Sequence, residues 1–328
     1  MIAAAVALAA LAVVLAWPVP VALARTAWPS RAPATALALW QAIALAGGLS
    51  MIGALLTFGL APFGNTLLDA TLAAVAGAAG SKRGPGLEPG GSTLWPPPIS
   101  NLLALVVAGL LAAYLVANLL RTALLIERER RRHRQLVRLL STPVPDHPNT
   151  RLINVELPVA YCLPGSPHPI TVFSAGLVQL LDDVQLRAVI QHEKAHLLQH
   201  HYIVLMAFDA WHRSLPWFPT ASRARTEVAL LIEMLADDHA RRTVDGRTLA
   251  GAIALVASGA AGGSENGTAS AIDTDLASHH AHQQRARVTR LIGDAPGLSR
   301  PRQTLVLAGA IALVAVPTVL LLTPALAG

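Results

Sequence analysis

The sequence predicts a mainly α-helical membrane protein: four spanning helices, with an α+β domain inserted between the third and the fourth. Three observations carry this. Apolar residues make up 53% of the 328-residue chain and charged residues only 13%, against about 25% charged in an ordinary soluble domain. Four stretches are long and apolar enough to cross a bilayer, which takes about 20 residues. Between the third and the fourth, residues 127–303 have the mixed composition of an ordinary domain.

The first stretch runs from Met1 to Ala24 and is interrupted late by Pro18 and Pro20. No Lys or Arg precedes Arg25, so it lacks the basic start of a secretory signal and is read as a retained helix. The second stretch runs from Ala34 to Ala61. The third runs from Leu102 to Ile126, with Arg121 near its end. The fourth begins at Thr304 and reaches Leu322 or slightly beyond. The chain divides accordingly. Residues 1–126 form a membrane region with an external loop at 62–100, 127–303 an inserted domain, and 304–328 the last helix and a short external tail.

The net charge is +6 and the pI about 10.4, and the position of that charge decides its meaning. Arg121 and six further arginines up to Arg138 crowd the exit of the third helix, and five more between Arg285 and Arg302 precede the fourth. Arg25 and Arg31 lie between the first two. Cytoplasmic loops are the ones rich in Lys and Arg. The multi-pass arrangement expected in the plasma membrane therefore has residues 127–303 cytoplasmic and both termini external. The arginine clusters suit anionic lipid head groups, so no direct nucleic-acid binding is expected. The single cysteine, Cys162, excludes an intrachain disulfide and a cysteine-rich metal site.

Within the loop at 62–100, Thr66 to Ala79 is weakly apolar and suits the membrane surface, and Gly77 to Pro98 is rich in Gly and Pro. Beyond the third span, Glu127 to Leu140 reads as a charged continuation of its helix. Short strands are expected at Leu152–Leu157, Val159–Leu163 and Ile170–Phe173, punctuated by prolines. Asp182 is a good N-cap for a helix from Asp183 past His200. A second helix is expected from Arg223 to Val244, a flexible linker at 259–270, and a last helix from Ala277 to Ile292.

The chemistry sits on the first two of these helices. His192-Glu193-Lys194-Ala195-His196 matches HExxH. Residues at i and i+4 share a helix face, so both imidazoles can reach one ion. Glu193, next to the first ligand, can reach the water a zinc ion activates and act as general base. A chance match is expected on the order of once in a hundred such sequences. A polar stripe inside an apolar helix, however, is costly to bury without a purpose. A catalytic zinc needs a third protein ligand and an open position. Glu233, in the otherwise apolar run from Val228 to Ala236, supplies it. Asp237, four residues on, can accept the free N–H of a ligand imidazole and fix its tautomer. His239 and Arg241 are candidates for contact with substrate or the oxyanion, and Arg242 is an equivalent cation. His200 and His201 read as a polar helix end, and His279, His280 and His282 as a weaker candidate for a second metal site.

At these residues the chain resembles the BlaR/MecR-type integral membrane metallopeptidases, of the gluzincin class. The resemblance covers the four-helix layout, Pro169 to Leu177, the HExxH motif, Trp217-Phe218-Pro219, and Glu233 through Asp237 and Ala240. It implies one zinc per chain on His192, His196 and Glu233, with Glu193 catalytic and Asp237 behind His192 or His196. It further implies cleavage of a cytoplasmic protein, typically a winged-helix transcriptional repressor, in a signalling pathway. Two departures are visible. Many relatives carry Cys where this chain has Ala236. The β-lactam sensors carry an external penicillin-binding domain after the fourth helix, which is not found in the residues to Gly328, so β-lactam sensing is not implied. Two alternatives remain. One is an HtpX/Ste24-like quality-control protease, a class in which membrane helices separate the two motifs; here the interval holds only the short apolar run Ile203–Trp211. The other is an idle scaffold held together by zinc, from which only Glu193 separates an enzyme.

The topology is testable by reporter fusion. A reporter placed after Arg132 is expected on the cytoplasmic side and one at Gly90 outside; the reverse pattern inverts the arrangement.

Overall fold

The computed structural model describes residues 1–79, 96–144, 147–164, 169–216, 219–262, 271–293 and 296–326. Helices α1 (Ile2–Ala16) and α2 (Pro18–Ala24) make up the first apolar segment. They separate at Trp17 because Pro18 has no N–H to donate and crowds the residue before it. Helix α3 (Pro33–Leu60) opens on a proline, which the first helical position tolerates. A short helix α4 (Leu67–Ala78) follows Thr66, whose hydroxyl caps the Asp69 N–H at 3.0 Å. Helix α5 (Ile99–Leu140) is continuous over 42 residues, about 63 Å at 1.5 Å per residue. Its apolar part passes without a break into the charged part. With the helix at the C-terminal end, four segments are long and apolar enough to cross a membrane: Ile2–Ala24, Pro33–Leu60, Ile99–Leu140 and Arg300–Leu322. These are the four read from the sequence. Most of the expected Gly/Pro-rich external loop lies outside the described residues.

After α5 the chain forms a four-stranded sheet of order β1-β2-β4-β3. Strands β1 (Ser141–Val144) and β2 (His147–Ile153) are antiparallel, with an irregularity between Pro143 and Val144. Strand β4 (Ile170–Ser174) runs parallel to β2 and antiparallel to the edge strand β3 (Ala160–Leu163). The expected strands at 159–163 and 170–173 are present. The one expected at Leu152–Leu157 lies earlier, at His147–Ile153, and its partner β1 was not anticipated. Prolines at 143, 145 and 148 hide this hairpin, yet Pro143 is on the edge strand β1 and Pro148 precedes the part of β2 that pairs with β4, which begins at Thr150.

Ser174 ends β4 and starts helix α6 (Ala175–Leu180). Its hydroxyl accepts from the N–H of Leu177 (3.1 Å) and of Val159 (2.9 Å). Helix α7 (Asp183–Leu198) starts in a full capping box between Asp182 and Gln185. It ends at Leu198 rather than running past His200: His200 turns into the left-handed region (φ 50°) and launches helix α8 (His201–Ser214). Helices α9 (Pro219–Ala240), α10 (Gly246–Gly262), α11 (Ala271–Ile292) and α12 (Arg300–Leu326) complete the chain. Helix α9 thus starts and ends about four residues earlier than expected, and α11 starts earlier. Of the expected linker at 259–270, Gly259–Gly262 belong to α10 and the rest lies outside the described residues.

The inserted region and the spans share a core. Leu15 and Leu23 of the first span and Trp40, Ile43 and Ala46 of α3 pack with Phe208 of α8 and Val228, Leu231 and Ile232 of α9. Asn118 of α5 donates to the Ala210 carbonyl (2.8 Å) and the Ser214 hydroxyl (2.5 Å), and the Tyr114 hydroxyl donates to the Ser214 carbonyl (3.1 Å). The Thr220 hydroxyl donates to the Ala16 carbonyl. Asn118 and Tyr114 lie inside the apolar run of the third span. The α8–α9 hairpin is therefore wedged among the first three spans. With 14 residues, about 21 Å, α8 is too short to cross a bilayer core of about 30 Å.

Gly176 is the tightest backbone position. A Cβ there would lie 1.7 Å from the Glu156 carbonyl oxygen, while the Gly176 N–H already bonds the Val155 carbonyl at 3.0 Å. Gly176→Ala is expected to destabilise the protein by about 2–3 kcal/mol, the scale of a core overpacking that moves backbone. Thermal unfolding in detergent measures it, and an unchanged melting temperature contradicts the packing described.

Candidate metal centre

Two helices bring the site together, each through an i, i+4 pair. Helix α7 presents His192 and His196, and α9 presents Glu233 and Asp237. His192 Nε2 lies 3.3 Å from His196 Nε2 and 3.4 Å from Glu233 Oε2; His196 Nε2 lies 3.5 Å from Glu233 Oε1. At Zn–N and Zn–O bonds of about 2.0–2.1 Å, two ligand atoms of a tetrahedral zinc stand about 3.3 Å apart. The two Nε2 atoms and the Glu233 carboxylate, which turns one oxygen towards each imidazole, are therefore spaced as ligands of one such ion could be. Donor type fits as well: two imidazoles and one carboxylate are ordinary zinc ligands. These three form the group able to hold a metal ion among the described residues.

The surrounding groups orient the three. Asp237 is fully buried and its Oδ1 lies 2.9 Å from His192 Nδ1. This leaves Nε2 of His192 facing the cluster. Arg287 of α11 grips Asp237 with both Nε (2.8 Å) and Nη2 (2.7 Å), and its Nη1 lies 2.8 Å from Glu233 Oε2. Arg290, one helical turn on, joins Asp238 (2.8 Å) to the Ser30 carbonyl (2.6 Å) between the first two spans. His201, the first residue of α8, is buried. Its Nδ1 lies 3.0 Å from His196 Nδ1 and its Nε2 lies 3.1 Å from Gln199 Oε1.

The electrostatics follow from burial and from these partners. Burial disfavours charge on His192, but hydrogen bonds to Asp237 and Glu233 outweigh it and raise its pKa to about 9. Burial pushes His196 and His201 down to about 4, so both are neutral imidazoles. Burial would raise Glu233, yet the His192 hydrogen bond and the Arg287 charge hold it down at about 2. Asp237 is likewise held low against its burial by Arg287 and His192. Glu193 is pushed up to about 7, chiefly by burial, although it accepts the backbone N–H of Cys162 on the edge strand β3. A cation seated among the three would displace the proton from His192, since metal ligands bind deprotonated.

Four of the five residues that the HExxH and ExxxD spacings singled out, His192, His196, Glu233 and Asp237, thus meet at one place, and Glu193 is near enough for their charges to act on it. His239 is half-buried at the end of α9, and Arg241 and Arg242 are exposed in the turn beyond it. The cation that reaches the cluster is Arg287, which the sequence shows only as one member of a basic run. His201 is also corrected: it is not part of a polar helix end but a buried neighbour of His196, while His200 is exposed. Its signal was its place five residues after His196, which reaches His196 only if the helix stops between them. The side chains of His279 and His280 lie outside the described residues, and His282 is exposed.

Residues 127–281 match peptidase family M48. That stretch, just under half of the chain, is similar to a family M48 peptidase domain. The protein is accordingly a metallopeptidase, a hydrolase of peptide bonds, and the family's enzymes use zinc. No curated protein and no solved structure matches the chain. The match begins at Glu127, where α5 turns from apolar to charged, and takes in β1–β4, α6–α10 and the first half of α11. It does not extend to the BlaR/MecR-type resemblance, which is narrower. Arg287 lies beyond the matched stretch.

Arg287 neutralises two carboxylates at once. Arg287→Met keeps much of its bulk but strips Asp237 of its cation, and breaking a buried pair from one side costs about 3–5 kcal/mol. The variant is expected to lose at least about 3 kcal/mol of stability in metal-free protein. A loss below about 1 kcal/mol in detergent unfolding would show that the pair is not sustained.

Proposed function

We propose that His192, His196 and Glu233 hold one zinc ion, that Glu193 is the general base, and that the protein is a membrane-embedded endopeptidase working at the cytoplasmic membrane face. The observation that carries this reading is the convergence of two imidazole Nε2 atoms 3.3 Å apart on one carboxylate, whose Oε2 lies 3.4 Å from His192 and whose Oε1 lies 3.5 Å from His196, separations close to the edge length of a zinc tetrahedron. When bound, zinc supplies a Lewis acid that polarises the scissile carbonyl and activates water. Glu193 takes the proton from the attacking water and passes it to the leaving amine. Asp237 holds His192 in the tautomer that leaves Nε2 free, and Arg287 keeps Glu233 and Asp237 ionised. The substrate proposed from the BlaR/MecR-type resemblance is a cytoplasmic regulatory protein, such as a winged-helix repressor. The arginines of the charged half of α5 meet anionic lipid.

One observation favours the HtpX/Ste24-like alternative, a quality-control protease acting on membrane proteins. The segment between the two motifs does enter the level of the spans: α8 bonds Tyr114 and Asn118 of the third span, and α9 begins beside Ala16 of the first. It does so as a hairpin and not as spanning helices. Incubating purified protein with a soluble repressor and with a membrane-inserted substrate separates the two readings by which one is cut.

Two variant sets test the chemistry. His192→Ala and Glu233→Ala are expected to lose the one zinc per chain; zinc retained in full by Glu233→Ala removes Glu233 from the ligand set. Glu193→Ala is expected to keep its zinc and to hydrolyse peptide roughly 100-fold more slowly or worse, as when a positioned base is lost. Cellular function that survives Glu193→Ala unchanged would instead favour the zinc-stabilised scaffold.

A further inference from the structure

Each of the three candidate ligands has a partner behind it: Asp237 behind His192, Arg287 behind Glu233, and His201 behind His196. The third is of a different kind. Its partner is a buried imidazole, and it comes from the helix after the motif. The left-handed residue His200 (φ 50°) reverses the chain between α7 and α8. That reversal sets the His201 ring edge-on to His196, with centroids 4.9 Å apart at 80°.

The proton positions along this contact are determined by its ends. His196 Nε2 faces His192 and Glu233, so to offer a lone pair there the neutral ring must carry its proton on Nδ1. His201 Nδ1, 3.0 Å away, must then accept, which puts the His201 proton on Nε2. Nε2 in turn lies 3.1 Å from Gln199 Oε1, a carbonyl oxygen that can only accept. Every donor in the chain His196 Nδ1–H, His201 Nε2–H has an acceptor, and only one tautomer of each ring satisfies both contacts.

We propose that His201 is a positioning residue for the metal centre, holding His196 in its Nδ1–H tautomer through a His196–His201–Gln199 hydrogen-bond chain. This rests on the reading of His192, His196 and Glu233 as the zinc ligands. It assigns His201 no contact with substrate and no place among the ligands. Loss of an outer partner of this sort ordinarily weakens metal affinity 10–100-fold.

The test uses the full-length protein in detergent, with zinc affinity read by chelator competition and cobalt(II) absorption as a second readout. His201→Leu fills the space without accepting a hydrogen bond. It is expected to bind zinc 10–100-fold more weakly and to shift the cobalt spectrum, with metal-free thermal unfolding near that of the wild type. His201→Asn, whose side-chain oxygen can accept from His196 Nδ1–H, is expected to recover most of the affinity. Wild-type zinc affinity in folded His201→Leu overturns the proposal, as does an Asn variant no better than Leu. Where His201→Leu does not fold, Gln199→Leu at the exposed end of the chain decides: several-fold weaker binding supports the proposal and unchanged binding overturns it. His192→Ala separates the two levels of inference. If it retains zinc, the site reading itself is wrong. If it loses zinc while His201→Leu does not, only the role of His201 is wrong.

Discussion

The buried charge of Asp237 is the constraint on which the rest of the centre depends. A carboxylate with no solvent contact is tolerable only if its charge is answered on the spot. Here two groups answer it, Arg287 with two hydrogen bonds and His192 with Nδ1. The three belong to three helices, α9, α11 and α7. Satisfying one carboxylate therefore fixes how those helices sit against one another. The same arrangement points His192 Nε2 at His196 and Glu233, so a requirement of folding and the orientation of a candidate metal ligand are met by one set of contacts.

Helix α9 carries a second duty. Its apolar stripe, Ala224, Val228, Leu231 and Ile232, faces the first two spans, and its last two turns carry Glu233, Asp237 and Asp238. Arg290 then ties Asp238 to the Ser30 carbonyl in the loop between those spans. The depth of the centre relative to the apolar segments is consequently set by side-chain packing along one rigid helix, not by a tether. This also explains why a division at residue 127, natural in composition, has no counterpart in packing. The charged region begins there, but the core does not.

The sequence displayed what is periodic. Four apolar runs, a pair of histidines at i, i+4 and a pair of carboxylates at i, i+4 all follow from helical geometry, and each was legible at its own position. Asp182 announced the start of α7 for the same local reason. What was hidden is relational. Arg287 lies 50 residues beyond Asp237 and sits among arginines that the positive-inside rule already accounts for, so nothing local marked it as buried. His201 could be recognised only by knowing that α7 stops at Leu198, and a histidine in the left-handed region is a weak signal compared with glycine there. The hairpin β1–β2 was masked by its prolines, whose meaning depends on lying on the edge strand or ahead of the paired part of an interior one.

The α8–α9 hairpin poses a stricter physical problem than the candidate metal centre, because α8 ends beside the apolar part of α5. The last carbonyls of any helix lack intrahelical donors, and without water each one left bare costs several kcal/mol. The Leu215 N–H takes the Trp211 carbonyl and the third span supplies a donor to the last one, Tyr114 to Ser214. Asn118 adds bonds to the Ala210 carbonyl and to the Ser214 hydroxyl, which itself turns back onto Ala210. On the other side of the turn the Thr220 hydroxyl meets a carbonyl at the break between α1 and α2, where the prolines have left an acceptor without its helical partner. The Arg225–Asp209 ion pair links the two arms directly. Polar residues that look misplaced in the apolar spans, Tyr114 and Asn118, and the prolines that interrupt the first one, are thus the groups that allow a helix to end at that depth. The hairpin they hold is the one that presents His201 at one end of α8 and Glu233 along α9.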